Sequence, residues 1–385
     1  MNLDPDRYQD MSKREILREL IEHIATSKED HEDKEHRSGN STDLNLYLLD
    51  NQGMEIGSLD DYINHITQNE RIRGYAKKFV KKYTFSEETL GDDTAIVGVT
   101  VPKKSRTDES VWITHGDYIW VLTTVRQKWR KKTIENLIKY LPQVERLYLS
   151  SDYLDAVTDE DVIQDSYISG FTAKYHAPHT ERKATLRFHG GHEEDLEKAE
   201  EVFNAKPTRI EFDQTNSPTA AIQGSSTNDG RLSLQSVLQG SQDKAVETLL
   251  SVSEEYQELD MASFEVEHTP THRSTDVGFS VDGFTAIELT DPDRDVESNE
   301  IVLEELKENV LNGNQYRFGE RERDTLRVYD THHDEIFDLA VEGPNIIVYP
   351  RETATSMGLR DVVQEIFEYD STYSQEKVEN PVASP

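Results

Sequence analysis

Residues 95 to 150 read AIVGVTVPKKSRTDESVWITHGDYIWVLTTVRQKWRKKTIENLIKYLPQVERLYLS. Ala95, Val97, Val99 and Val101 recur at the two-residue period that lays alternate side chains on one face of a strand. A second strand is predicted over 111–114. The His115-Gly116-Asp117 turn then leads to a third over 118–123. Thr124 and Gln127 have capping-box spacing. Trp129, Ile134, Leu137, Ile138 and Leu141 continue at helical spacing until Pro142 stops the helix. A strand over 144–150 follows. Strand, helix and strand with short links predict a βαβ unit with a right-handed crossover.

Upstream, Ser12 and Glu15 form a capping-box pattern before the apolar stripe Leu17, Leu20, Ile21 and Ile24. The polar run 27–42 reads as a linker, 44–49 as a strand, and 58–67 and 69–83 as helices. Downstream, Ala184, Leu186 and Phe188 alternate as a strand, and Leu196, Ala199, Val202 and Phe203 mark a helix. Ile210 and Phe212 belong to a further strand. A hairpin joins 221–223 to 231–238 around Asn228-Asp229-Gly230. A helix over 243–256 and a strand through Phe264 and Val266 complete the order β-α-β-β-β-α-β, which predicts a split-βαβ, ferredoxin-like sandwich. Then come a hairpin over 277–289, a helix over 301–311 ended by Gly313, four short strands and a last helix over 359–369.

The fold class is therefore α+β. The expected divisions are an N-terminal helix and linker (1–42), a basic, aromatic mixed α/β domain with the βαβ unit (43–160) and a split-βαβ middle domain (161–290). A small α+β unit (291–372) and a disordered tail (373–385) follow.

Charge singles out one region. The chain has 42 Lys and Arg against 76 Asp and Glu, a net charge of −34. Residues 71–140 hold 15 basic and 8 acidic side chains, or +7, so the other 315 positions carry −41. Acid spread over folded segments predicts a halophile's high-salt cytoplasm, where ions screen the repulsion. With no cysteine, disulfides, thiolate metal sites and a Cys nucleophile are excluded. The first residues carry no apolar signal core, and no run approaches the ~20 apolar residues of a membrane span. A cytoplasmic protein without a membrane partner is expected.

Within the basic region, Arg71, Arg73, Lys77, Lys78, Lys81 and Lys82 lie on one expected helix, and Arg126, Lys128, Arg130, Lys131 and Lys132 on another. Lys103, Lys104 and Arg106 sit in a loop between strands. Such clusters suit phosphate contacts, with Tyr75 or Tyr83 as stacking surfaces for bases. All three tryptophans fall here too: Trp112 and Trp120 read as core of the strands. The leading expectation is a binding or regulatory protein that takes nucleic acid on 71–132. One alternative is an assembly component whose basic region meets an acidic protein face or a second subunit. Another is a metal-dependent enzyme using paired histidines.

Histidines come in pairs: His176 with His179, His189 with His192, His268 with His272, and His332 beside His333. The His189–Asp195 stretch combines imidazole and carboxylate donors, making His189 and His192 the weak metal candidates. His31 and His36 are one residue too far apart to share a helix face, so the HExxH pattern fails. Neither a phosphate-binding glycine motif nor a GxSxG elbow occurs. No catalytic residue and no cofactor is assigned, and the balance leans away from an enzyme.

Overall fold

The computed structural model describes residues 3–26, 43–51, 53–68, 74–141, 144–159, 161–177, 182–190, 193–214, 221–264, 268–271, 281–284, 286–290, 299–311, 315–322, 325–351 and 354–378. The linker expected over 27–42 lies outside them. The chain opens with α1 (Pro5–Tyr8), α2 (Lys13–Glu22), β1 (Ala25–Thr26) and β2 (Leu44–Asn51). Helices α3 (Leu59–Gln68) and α4 (Gly74–Lys82) precede a meander of β3 (Thr84–Gly91), β4 (Thr94–Val101), β5 (Arg106–His115) and β6 (Tyr118–Thr123). Next come α5 (Gln127–Arg130), α6 (Ile134–Tyr140) and β7 (Val144–Arg146). The middle of the chain forms β8 (Ser166–Ala177), β9 (Arg182–His189), α7 (Glu193–Phe203), β10 (Lys206–Gln214), β11 (Ile222–Thr227), β12 (Arg231–Leu238) and the long α8 (Gln242–Phe264). A two-stranded ribbon pairs β13 (His268–Thr271) with β14 (Val281–Phe284). The remainder comprises β15 (Ala286–Thr290), α9 (Asn299–Glu305) with a π-helical turn over Leu306–Val310, β16 (Tyr316–Glu322), β17 (Thr325–Asp330), β18 (Glu335–Glu342), β19 (Asn345–Pro350), α10 (Ser356–Tyr369) and β20 (Ser374–Val378).

Helices pack on antiparallel sheets, which is the α+β class. Twelve strands make one sheet in the order β3-β4-β5-β6-β2-β12-β11-β10-β8-β9, with β7 added beside β2 and β1 beside β12. Six strands make a second, in the order β16-β17-β18-β19-β15-β20. Pairing of β2 with β12 joins strands from both the 43–160 and the 161–290 divisions in one sheet. No described helix is long and apolar enough to cross a membrane.

The βαβ unit acquires a third strand. Both β6 and β7 run antiparallel to β2, on its two sides, so they are parallel to each other and the crossover passes over β2. The same arrangement recurs at β9-α7-β10, which straddles β8. Strand β2 (LNLYLLDN) is apolar without alternation because both faces are covered. Leu44, Leu46 and Leu48 enter the core with α2 and α8, whereas Tyr47 and Leu49 enter the core with α3, α4 and α6. The capping box at Ser12 and Glu15 is formed, and α2 buries Ile16, Leu17, Leu20 and Ile21.

Several elements differ from the sequence expectations. The helix after β6 splits in two: Arg126, not Thr124, precedes α5, and the Thr133 hydroxyl donates to Trp129 O and Asp108 Oδ2 at the break. Phe264 ends α8 instead of lying in a strand. Beyond Arg146, Leu147 still donates to Leu48 O, but Leu149 turns to Asn228 O, so β7 is short. Ser374–Val378, read as the start of a disordered tail, pairs with the free edge of β15. Backbone pairing with β15, with Lys206 donating to Ser374 Oγ at 3.0 Å, places β20; its side chains have no apolar period to announce it.

Gly230 lies where β2, β12 and the chain after β7 meet. Its φ is +68°, and a Cβ there would stand 2.7 Å from Leu147 O and 3.1 Å from Leu48 O. Its N–H donates to the buried Tyr256 hydroxyl at 2.9 Å. The smaller sheet is joined to the larger through α10. Buried Arg360 donates from Nε and Nη2 to Asp260 at 2.9 and 2.7 Å, and from Nη2 to Asp50 at 3.2 Å.

Two predictions follow from these contacts. Gly230→Ala should destabilise the protein by about 2–4 kcal/mol, combining left-handed strain with backbone overlap, read as a lower Tm in thermal unfolding. An unchanged Tm would show that the junction yields easily. The second concerns Asp338, largely buried and gripped by Arg327 at 2.8 Å and by Arg351 Nε at 2.7 Å. Burial alone would raise its pKa, but the two guanidinium groups bring it below the usual carboxylate value. A depressed pKa means stability present above the unfolded value of ~3.9 and lost as pH falls through the folded one. Asp338→Asn should cost about 1 kcal/mol at neutral pH, the arginines being half exposed, and the gap from wild type should close below about pH 4. Urea unfolding at several pH values checks this.

Candidate functional site

At one end of the large sheet the chain gathers positive charge. Helix α4 finishes with Lys81 and Lys82, and Thr84 two residues later pairs with Thr100 at the end of β4. Three residues on, the β4–β5 turn carries Lys103 and Lys104, and Arg106 opens β5. Strand β6 stops short of that turn, with Leu122 paired to Val111 and Thr123 Oγ1 donating to Glu109 O, and its continuation carries Arg126, Lys128, Lys131 and Lys132. Register, not sequence proximity, therefore brings the loop cations Lys104 and Arg106 to Lys128 and Lys132 of the second predicted cluster in one strip.

Trp129 is the centre of that strip. Lys104 Nζ lies 3.9 Å from its ring centroid, the Arg106 guanidinium 4.7 Å, Lys128 5.6 Å and Lys132 5.8 Å. The ring is half-buried and the lysines are exposed. Cation–π attraction, about 0.5–1 kcal/mol per exposed contact, offsets part of the repulsion among them. Arg106 also pairs with buried Asp108 at 2.5 Å. Among the described residues, no carboxylate lies within ion-pair distance of Lys103, Lys104, Arg126, Lys128, Lys131 or Lys132, nor of Lys77, Lys78, Lys81 or Lys82.

Not every predicted residue belongs. Arg130 is 3% exposed and turns inward to Glu135 at 3.0 Å and the ring of Tyr47, so it cannot reach a phosphate. Tyr83 is buried against Phe79, because α4 must seal the core at its C-terminal turn. Tyr75 is 70% exposed with Lys78 beside it, in the first turn of α4. Arg71 and Arg73 lie outside the described residues. Trp112 and Trp120 are core, 1% and 0% exposed. Lys13 covers Trp120 at 4.1 Å.

A second cluster lies at the opposite end of β2, on the seam between the sheets. Glu145 on β7, His332 and His333 in the β17–β18 turn, Asp330 at the end of β17 and Asp361 on α10 converge there. Two overlapping triads, Glu145-His332-His333 and Asp330-His333-Asp361, each hold their donor atoms within 4.8 Å of one another and could hold a metal ion. His333 Nε2 is 3.8 Å from Glu145 Oε2 and 3.7 Å from Asp361 Oδ2. Gln315 Nε2 donates to both Asp330, at 3.1 Å, and Asp361, fixing the two carboxylates. Burial and the charge of Asp361 push the Glu145 carboxyl up. His333, although burial acts against its charge, is raised to about 9 by Asp361, Glu145 and Asp330.

The adjacent pair His332-His333 was visible in the sequence with Asp330 close by, but the other carboxylates come from positions 145 and 361. No local spacing announces them. His189 ends β9 exposed and joins no described donor cluster, and His192 lies outside the described residues. Comparison with family models and with curated proteins finds no match to this chain.

Because Trp129 alone among the tryptophans is open to solvent, iodide should quench its emission selectively, aided by the surrounding cations. Trp129→Phe should abolish most of the quenchable fraction. Equal quenching in that variant would mean that a core tryptophan is reached instead.

Proposed function

We propose that this chain is a nucleic-acid-binding protein whose contact surface is the strip from Lys81 through Lys104 to Lys132. The observation that carries this reading is four cations converging on one half-exposed tryptophan in a chain where acid outnumbers base 76 to 42. Among the described residues, no carboxylate lies within ion-pair distance of the strip's lysines, although acid is abundant enough to neutralise each of them, and Arg106 alone of the four cations on Trp129 is paired, with Asp108. Like charges held this close repel, and a polyanion relieves that repulsion.

The reading assigns phosphate contact to Lys81, Lys82, Lys103, Lys104, Arg126, Lys128, Lys131 and Lys132. Trp129 supplies a π-face for a base once a lysine swings aside. At high salt the counterion contribution shrinks, so direct contacts and stacking carry more of the affinity. Single strands, with unpaired bases to stack, are the favoured form.

Fluorescence anisotropy with labelled single- and double-stranded oligonucleotides at several KCl concentrations tests this. Saturable binding is expected, tighter for the single strand. Its salt slope should fall by about 0.7–0.9 for each lysine removed from the set 104, 128 and 132. Trp129→Ala should weaken binding about tenfold, the loss of one stacked base. Folded protein that leaves both oligonucleotides free across the salt range, or a triple lysine-to-glutamate variant that binds as wild type does, would overturn the proposal.

A further inference from the structure

The seam between the two sheets has features that charge pairing alone leaves unexplained. His333 is 8% exposed, and its Nε2 has no hydrogen-bond partner. A nitrogen so enclosed would ordinarily cost about 1–3 kcal/mol unless something engages it. The oxygens facing it, at 3.7 and 3.8 Å, are beyond hydrogen-bond reach yet close to ligand spacing in a coordination shell. Donors about 2.1 Å from a tetrahedral ion stand about 3.4 Å apart.

We infer that the two overlapping triads, Glu145-His332-His333 and Asp330-His333-Asp361, meet at His333 to bind one divalent first-row transition ion. Two imidazoles with carboxylates suit zinc, manganese, cobalt or nickel. A calcium or magnesium site would be built from oxygen alone, and a copper(I) site would use thiolate or thioether sulfur, whereas the donors here are imidazole and carboxylate. Gln315 supplies the outer contact that orients two of the carboxylates, as partners of metal ligands commonly do.

The ligands come from three places in the chain: β7 in the large sheet, the β17–β18 turn of the small sheet, and α10 between them. An ion held there clips the two sheets together. It lies at the other end of β2 from the cationic strip, because Asp50 pairs with Tyr118 and Glu145 whereas Asn45 pairs with Thr123. The clip is independent of the nucleic-acid reading.

The test is equilibrium dialysis of the full-length, chelator-stripped protein against Zn²⁺ or Mn²⁺ at pH 8, with excess Mg²⁺ to occupy surface carboxylates. Bound metal is counted by elemental analysis. One equivalent per chain is expected. It should be lost in His333→Gln and kept in His189→Ala, and Zn²⁺ should raise the Tm of wild type but not of His333→Gln. Glu145→Gln, at the more open side of the cluster, serves as a second variant should circular dichroism show His333→Gln unfolded. Co²⁺ as a probe should give visible bands of nitrogen and oxygen coordination. Absence of a bound equivalent in folded wild type, or one that survives both folded variants, sinks the inference.

Discussion

The buried guanidinium of Arg360 ties the small sheet to the large one. It lies on α10, yet its partners are Asp260 on α8 and Asp50 at the end of β2, and its cation faces the ring of Phe264 at 5.6 Å. Asp260 also accepts the Tyr148 N–H, and Asp50 the Ser356 hydroxyl. Burial raises the Asp260 carboxyl despite the arginine beside it, while the two acids hold Arg360 charged. Removing one member of such a set leaves a dry, uncompensated charge, a loss of about 3–5 kcal/mol. The association of the two sheets therefore depends on electrostatics as much as on the apolar contact of Tyr148 with Phe264 and Phe367.

Strand β2 lies between the two places where chemistry concentrates. Near Asn45 the sheet ends in exposed cations around Trp129; near Asp50 it ends in enclosed acids around His333. The contrast is one of solvation. Cations at a surface keep their water and tolerate one another, whereas ionisable groups on the seam must be neutralised by proton transfer, pairing or a bound ion. A chain with a net charge of −34 has few ways to leave cations unpaired. The β4–β5 turn and the break at Thr133 achieve this by projecting lysines away from the acidic remainder.

Strands 95–101 and 118–123, the capping box at Ser12 and the Asn228-Asp229-Gly230 turn were legible because each is set by neighbours a few residues away. Strand β3 was not: its TFSEETLG sequence sits at the sheet edge with one face in solvent, so little apolar alternation marks it. Trp129 was readable as a residue of the basic region but not as its centre, since Lys104 reaches it across two strands. Arg130 was misread because nothing local distinguishes it from Lys131; only Glu135 and Tyr47 beneath it turn it inward.

By itself, then, the sequence determined the local elements, the α+β class and the segregation of positive charge, all consequences of short-range periodicity and composition. Tertiary structure decided which cations meet, which histidine is enclosed by carboxylates, and that the strand pairs continue through β2 and β12 as one sheet. Those outcomes depend on strand register and on contacts between residues as far apart as 50 and 360, and no interaction along the chain encodes such distances.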